Sequence, residues 1–209
     1  MEKRSGRGKP PSWKRDSIID AALSAFFELG YGGTTIDEIV KRAGGSKASI
    51  YKYFSGKEEM FATVVDKIVK HHAVDALNAD EAPEKALVAY AESRLRVVFS
   101  EQHIALRRLV IGEGVRFPKI ANTYYSHGPE LSRKQLERYF REQHERGILR
   151  IDDARTAAEM FQGMLIHSMY LRTLFTLSRR IPARQLRQQA RKVVGKFLQL
   201  YAIQDRFRP

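Results

Sequence analysis

The amino-acid sequence predicts an all-α fold, with a small N-terminal domain of three helices followed by a larger helical domain. Apolar residues recur at intervals of three and four positions in one segment after another, as in amphipathic helices. Glycine and proline separate these segments, and Ser, Thr or Asp stands where several of them begin. No segment shows the strict alternation of apolar and polar residues that is typical of a half-buried strand.

The composition is that of a chain that can bury a core and bind a polyanion. The 209 residues suit one medium domain, or a small domain joined to a larger one, and 43% of them are hydrophobic. There is no apolar run long enough to span a membrane, so no membrane partner is expected. The lack of cysteine excludes disulfides and thiolate metal sites and fits a reducing cytoplasm. The net charge of +13 favours a polyanionic partner without identifying it.

The chain opens with a basic arm and a first helix. Residues 1–11 are rich in Arg, Lys, Gly and Ser and have almost nothing to bury, so we expect a flexible arm. Ser12 is the predicted N-cap of the first helix, and Gly30 is its predicted end. The buried face of this helix is predicted to consist of Ile18, Ile19, Ala22, Leu23, Phe26 and Leu29.

Two short helices follow, joined by a glycine turn. Thr34 or Thr35 is predicted to cap the first, because Glu38 stands three residues after Thr35 in a capping-box pattern. The pair Gly44–Gly45 interrupts this helix, and Ser46 is the predicted cap of the next. A fourth helix is expected from Lys57 onward. Its apolar face is predicted to comprise Phe61, Val64, Val65, Ile68, Val69 and His72.

The two short helices match a helix-turn-helix, in which the second helix can enter the major groove of DNA. We expect this second helix to run to Phe54, with Ile50 and Phe54 facing the core. Two of its outer residues, Ala48 and Ser49, are small, so the helix can approach base edges closely. Ala48 could contact a thymine methyl, Ser49 could exchange a hydrogen bond, and Lys47 could either bind guanine acceptors or remain solvated.

Other predicted DNA contacts flank this helix. Tyr53 and Lys57 suit phosphates, as do the two threonines at a helix N-terminus, where backbone N–H groups face an anion. In the arm, Arg4 and Arg7 could enter a minor groove, or the arm could add only nonspecific attraction. The complete predicted DNA-binding set is Thr34, Thr35, Ser46, Lys47, Ala48, Ser49, Tyr51, Tyr53, Lys57, Arg4 and Arg7.

The segment from Thr35 to Phe61 resembles the signature of TetR-family regulators. The Tyr51-x-Tyr53-Phe54-x-x-Lys57-Glu58 core carries the resemblance, together with its place near the N-terminus. One position departs from the family pattern, because Gly45 stands where an apolar residue is usual. Glu113 to Pro118, Tyr124–Tyr125 and Gly147 to Leu149 are similar to the AefR-like branch.

The resemblance implies a transcriptional repressor that binds a double-stranded, near-palindromic operator as a homodimer and is released by a small-molecule effector. We therefore expect an arm over residues 1–11, a DNA-binding domain over 12–56, and a ligand-sensing and dimerisation domain over 57–209. The alternative from the residues alone is an architectural protein that binds nucleic acid without sequence preference. The large apolar C-terminal part argues against it, because such a protein needs no sensing core.

Helices are also predicted beyond residue 83. The expected segments are Leu87 to Phe99, His103 to Gly112, one long helix from Ala121 to Arg146, one after Asp152 or Asp153, and one opened by Pro182. The fourth of these is apolar nearly all round, so we expect it to be buried on two sides. The resemblance implies a homodimer through the last two helices. The predicted interface comprises Ile166, Tyr170, Val193, Val194, Phe197, Leu198 and Tyr201.

The sensing domain holds more bulky apolar side chains than one helical seam needs, so we expect an elongated apolar cavity with a few polar groups. A packed core with no room for a guest is the alternative. The candidate ligand residues are Phe99, His103, Arg107, Glu113, Arg116, Phe117, Tyr124, Tyr125, Phe161, Met164 and His167. Because cationic candidates outnumber acidic ones, a lipophilic molecule with an anionic or hydrogen-bonding head is favoured.

Enzyme chemistry is not expected. The sequence has no nucleophile elbow, no phosphate-loop pattern and no dinucleotide fingerprint. His144–Glu145 begins a zinc-protease pattern, but Ile148 stands where the second histidine must be. His71 and Asp75 are one helical turn apart, and such lone pairs usually lie on the surface. We therefore expect no cofactor and no metal.

Overall fold

The computed structural model describes residues 12–70, 77–175 and 181–201, and within them it confirms the all-α fold. The helices in chain order are α1 (Ser12–Gly33), α2 (Ile36–Ala43), α3 (Lys47–Tyr51), α4 (Lys57–Lys70), α5 (Pro83–Val98), α6 (Glu101–Glu113), α7 (Pro118–His127), α8 (Pro129–Glu145), α9 (Ala154–Phe175) and α10 (Ala183–Tyr201).

The caps of the short helices form as the sequence predicts. Thr35 is extended, and its side chain accepts the backbone N–H of Glu38 at 3.2 Å. The Glu38 carboxylate does not return the bond, because it pairs with Arg42 instead. Ser46 caps α3 by accepting the N–H of Ser49. The predicted extension of α3 to Phe54 is wrong, since the helix ends at Tyr51.

The predicted long helix from Ala121 to Arg146 is two helices. Helix α7 ends at His127, and Pro129 opens α8 after Gly128. Proline has no N–H to donate and clashes with the preceding turn, so it is tolerated in the first turn of a helix and breaks a helix interior. The Gly128–Pro129 pair in the sequence is the signal of this break, which the prediction of one long helix overlooked.

Two hydrophobic clusters organise the described residues. The N-terminal cluster contains the apolar faces of α1 to α4 together with Leu106, Val110 and Ile120 from α6 and α7. The C-terminal cluster joins α5, α8, α9 and α10 around stacked aromatic rings, including Phe140 and Phe197 with centroids 4.9 Å apart. Helices α6 and α7 thus pack into the core of the N-terminal helices and link it to the rest of the chain.

Candidate DNA interface and ligand cavity

The turn between α2 and α3 consists of two glycines with positive φ. Gly44 has φ +70° and Gly45 has φ +117°, a conformation that residues with a side chain rarely adopt. The glycine that departs from the family pattern is therefore the residue that this turn geometry requires. The turn places α3 across the end of α2, with Ile50 buried at 2% exposure to hold it in the core.

The exposed face of α3 carries most of the predicted base-reading residues. Ser46, Lys47, Ala48 and Tyr51 are exposed, and Ser49 is half-buried. Apart from Lys47, the residues in the N-terminal half of this face are small, so α3 can approach a groove closely. We call these five residues the α3 face.

An ion pair restrains the predicted base-reading lysine. Lys47 Nζ lies 2.9 Å from the carboxylate of Asp37 on α2, and both side chains are more than half exposed. The hydrogen bond that Lys47 donates to Asp37, together with the negative charge of Asp37, raises the pKa of Lys47. An exposed pair of this kind is weak, so Lys47 can exchange Asp37 for a phosphate or a base at little cost.

Two of the predicted phosphate contacts have structural partners instead, and we correct them. Thr34 is 1% exposed, and its hydroxyl donates to the carbonyl of Gly30 at 2.6 Å. Lys57 Nζ donates to the carbonyls of Tyr31 at 2.7 Å and Thr34 at 2.9 Å, and it lies 4.3 Å from the centroid of the Tyr31 ring. Partial burial lowers the pKa of Lys57.

The remaining predicted contacts stay available. Thr35 is exposed and Tyr53 is half-buried, beside the α3 face. Arg4 and Arg7 lie outside the described residues, so their assignment to the minor groove stays a prediction.

The end of α6 is joined to the end of α1. The Glu113 carboxylate accepts the backbone N–H groups of Tyr31 and Gly32, both at 2.7 Å. The rings of Tyr31 and Phe117 make an edge contact with centroids 5.1 Å apart. We call Glu113, Phe117 and the turn from Gly30 to Gly32 the clamp. Glu113 and Phe117 were predicted to bind ligand, and that assignment is corrected, because both are engaged with α1.

The clamp depends on Gly30. This residue has φ +74°, and a Cβ atom there would lie 2.5 Å from Glu113 Oε1. A side chain would therefore strain the backbone and push away the carboxylate that binds the next two N–H groups. The glycine that ends the regular part of α1 is also what lets α6 reach it.

A cavity of about 80 Å³ lies between α5, α6, α7 and α9. Its walls bring together three of the predicted ligand residues, His103, Arg107 and Tyr124, in which His103 Nε2 is 2.9 Å from the Tyr124 hydroxyl. The residues around it are Arg94, Val98, His103, Arg107, Tyr124, Pro129, Gln162, Ile166 and Tyr170. Ile166 and Tyr170, predicted at a subunit interface, face this cavity.

The other predicted ligand residues lie elsewhere, and we correct them. Phe99 and Phe161 are packed in the C-terminal cluster, and Met164 packs against it. Tyr125, Arg116 and His167 are exposed, so they lie outside the cavity. Helical spacing places these residues on the expected helices but does not fix which face turns toward a void.

Sequence reasoning missed Arg94, which is 6% exposed in the middle of α5. A signal was present, because Arg94 falls in line with Leu87, Ala91 and Val98 on the apolar face. Burial lowers its pKa, an effect that nearby Arg107 reinforces. Burial and the same two guanidinium groups lower the pKa of His103 to about 3, so its imidazole is neutral near pH 7.

The predicted subunit interface also needs correction at three positions. Val193, Val194 and Phe197 are 6%, 0% and 0% exposed, and they belong to the core of their own chain. Leu198 and Tyr201 are only half-buried. The exposed large apolar residues on the same two helices are Met160, Leu171, Phe175 and Leu200, at 43%, 41%, 80% and 64% exposure. We call these four the outer α9–α10 face.

The described residues contain no group of three or more His, Asp or Glu side chains placed to hold a metal ion. Among the described helices, none combines the length and apolar character needed to cross a bilayer.

Comparisons with known proteins define the class. Residues 18–64 match the bacterial regulatory proteins of the TetR family, and residues 85–203 match the C-terminal domain of AefR-like transcriptional repressors. The chain therefore belongs to the TetR family of transcriptional regulators.

Individual relatives support this assignment. A TetR-family transcriptional regulator from Mesorhizobium loti MAFF303099 superimposes with a TM-score of 0.81 at 30% identity, over 93% of this chain and all of that one. The flavonoid-responsive regulator FrrA gives a TM-score of 0.79 at 27% identity, over 92% and 98% of the two chains. The regulator RutR of Escherichia coli K12 is 32% identical over 93 residues, which is 44% of each chain. The match thus spans less than half the length of RutR.

Proposed function

We propose that this chain is a ligand-responsive repressor that binds a near-palindromic DNA operator as a homodimer. The observation that carries the proposal is the α3 face, a capped helix with small exposed residues at its N-terminal half and Lys47 beside them. Such a helix can lie in a major groove and contact base edges. The AefR-like match of the C-terminal part supports repression.

The outer α9–α10 face supports a dimer. Met160, Leu171, Phe175 and Leu200 leave apolar surface exposed on the two C-terminal helices. Such surface can be buried when two proteins associate. Two copies that meet here would present two α3 faces to the operator. These must reach grooves one turn apart, about 34–36 Å along the duplex.

The clamp gives a route by which a guest in the cavity could change that separation. His103 and Arg107 stand in the first half of α6, and Glu113 stands at its end. Arg107 and Glu113 are roughly 9 Å apart along the helix axis at 1.5 Å per residue. A guest that shifts α6 therefore moves the carboxylate holding Tyr31 and Gly32, and with them the end of α1. FrrA, a neighbour in structure, is named as responsive to a flavonoid.

Selection from randomised duplexes tests the proposal. The full chain should enrich a sequence with two related half-sites about one helical turn apart, and should bind it at least 1,000-fold more tightly than random DNA, roughly the lower limit for specific binding. Fluorescence anisotropy at fixed salt measures both affinities. Binding to all duplexes with similar affinity would instead identify an architectural protein and overturn the proposal.

A further inference from the structure

Two guanidinium groups are buried beside the cavity without acidic partners. Arg94 and Arg107 are 6% and 3% exposed. Arg94 Nε, Arg107 Nε and Arg107 Nη1 have no hydrogen-bond partner among the described residues. Arg107 Nη2 donates to the carbonyl of Val98 at 2.8 Å, and the guanidinium lies 4.5 Å from the centroid of the Tyr170 ring. No Asp or Glu is among the residues described around the cavity.

Another buried arginine in the same chain shows what a structural role looks like. Arg133 on α8 is 8% exposed, and its guanidinium donates to the carboxylates of Glu130 at 2.8 and 3.0 Å and of Glu137 at 2.5 Å. All three guanidinium nitrogens of Arg133 therefore donate to carboxylates. A buried charge without such partners is strongly unfavourable, so Arg94 and Arg107 need an explanation other than packing.

The rest of the cavity wall suits an organic anion. His103 Nδ1 is also buried without a partner, while its Nε2 pairs with the Tyr124 hydroxyl. Val98, Ile166 and Tyr170 supply apolar surface. The volume of about 80 Å³ is far below the roughly 300–1,000 Å³ of sites for drug-sized ligands. The space therefore suits a compact molecule with one charged group.

We propose that the cavity binds a compact organic acid whose carboxylate lies between Arg94 and Arg107 and whose apolar body contacts Ile166 and Tyr170. Guanidinium groups bind carboxylates through paired, charge-assisted hydrogen bonds, which would satisfy the three free nitrogens. The role of this acid as effector rests on the proposed function, whereas its binding does not. Such a repressor would release DNA when the anion binds, whereas the neutral or cationic analogue would have no effect.

Thermal shift and calorimetry on the full chain test the site with four small probes. Propionate should raise the melting temperature in a saturable way, while propionamide, propylamine and inorganic phosphate should not. Propionamide and propylamine keep a short apolar body and change the charge, and phosphate keeps negative charge without the apolar body. Equal stabilisation by propionamide or by phosphate would overturn the proposal, as would the absence of a shift with propionate.

Substitutions test whether the two arginines hold the propionate carboxylate. Arg94→Met and Arg107→Met should each weaken propionate binding at least tenfold. Without ligand, the Arg94→Met variant should also melt no lower than the wild type, because it lacks an uncompensated charge. Arg96→Met, two positions away on the exposed side of α5, is the matched control and should bind propionate normally. Unchanged propionate affinity in Arg94→Met would overturn the assignment.

Operator DNA separates the two proposals. Release of the operator by propionate in the wild type, but not in Arg107→Met, supports both. If the protein binds propionate through Arg94 but keeps its operator affinity, the anion site stands and the effector role is refuted. A protein that fails to select any operator refutes the repressor, while the calorimetric result on the arginines still decides the site.

Discussion

Glu113 and Tyr31 are 82 positions apart in the sequence, yet the Glu113 carboxylate accepts the backbone N–H of Tyr31 at 2.7 Å. The second oxygen of the same carboxylate accepts the N–H of Gly32 at the same distance. One side chain thus satisfies two donors at the irregular end of α1. This contact connects α1, the first helix of the expected DNA-binding domain, to α6, which borders the cavity.

Glu113→Gln should loosen this connection. The amide oxygen can accept only one of the two N–H groups and carries no charge, so we expect a loss of about 1–3 kcal/mol of unfolding free energy. Hydrogen exchange at Tyr31 and Gly32 should accelerate locally. Glu145→Gln, on the exposed end of α8, is the control and should leave exchange there unchanged. Normal protection of both amides in Glu113→Gln would show that the clamp does not form in solution.

Substitutions at Lys57 and Lys52 should distinguish a structural role from a contact with a DNA phosphate. Lys57→Met removes two hydrogen bonds to carbonyls and the contact with the Tyr31 ring, so it should lower the melting temperature. It should leave the salt dependence of operator binding unchanged. Lys52 is exposed at the end of α3, and Lys52→Met should flatten that dependence by about one unit of slope if it contacts a phosphate. A flatter salt slope in Lys57→Met would restore its role as a phosphate ligand.

Ala48→Leu should abolish specific DNA binding without unfolding the protein. Ala48 is exposed on the α3 face, where a longer side chain would meet the floor of the groove. Both residues are good helix formers, so the melting temperature should change little. Ala89→Leu makes the same change at an exposed position of α5 and should bind operator normally. Retained operator affinity in Ala48→Leu would show that α3 does not lie in the major groove.

His103 should make stability depend on acidity. Burial lowers its folded-state pKa to about 3, against about 6.5 in the unfolded chain, so the unfolded state binds the proton first. The contribution of the neutral His103 side chain to the free energy of unfolding is complete above pH 6.5. It is lost as the pH falls toward 3, by up to about 1.4 kcal/mol per pH unit. Denaturant melts from pH 7 to pH 4 should show a smaller loss in His103→Phe. Identical pH profiles would mean that His103 is accessible to protons in the folded protein.

Leu171→Asp should convert the proposed dimer to a folded monomer. Leu171 is 41% exposed on the outer α9–α10 face, so a charge there is tolerated in one chain and is costly when buried against another. Sedimentation equilibrium gives the mass, and far-ultraviolet circular dichroism confirms the fold. Phe197→Asp, by contrast, should unfold the C-terminal cluster, because Phe197 is fully buried. A monomeric wild type at micromolar concentration would contradict the dimer.

Local chemistry in the sequence was enough to predict the caps of α2 and α3 and most of the apolar faces, although Leu29, predicted on the buried face of α1, is 42% exposed. Thr35 and Ser46 cap α2 and α3 because their short side chains reach free N–H groups two or three residues on. The predicted apolar face of α4 is buried over Phe61 to Val69, while His72 lies outside the described residues. These features depend on neighbours within one or two helical turns, which a sequence pattern contains.

The assignments that failed depend on contacts between distant segments. Lys57 has the spacing of a phosphate ligand, and only the path of the chain from Tyr31 to Thr34 shows where its ammonium goes. The apolar stripe of α10 predicts burial correctly, but a stripe does not say whether Val194 meets its own chain or a second copy. The face that α6 turns toward the cavity was likewise fixed by the packing of other helices.

The buried charges of Arg94 and Arg107 also bear on how long the protein survives in a cell. Without a ligand the folded protein contains two buried cations that no anion neutralises, so its free energy of unfolding is reduced. Proteases act on chains that unfold transiently. A bound acid would neutralise this charge and raise the free energy of unfolding by mass action. If the chain is the repressor proposed above, its cellular amount should rise with the same acid that weakens its binding to the operator. The two effects oppose each other, so repression should return promptly when the acid is consumed.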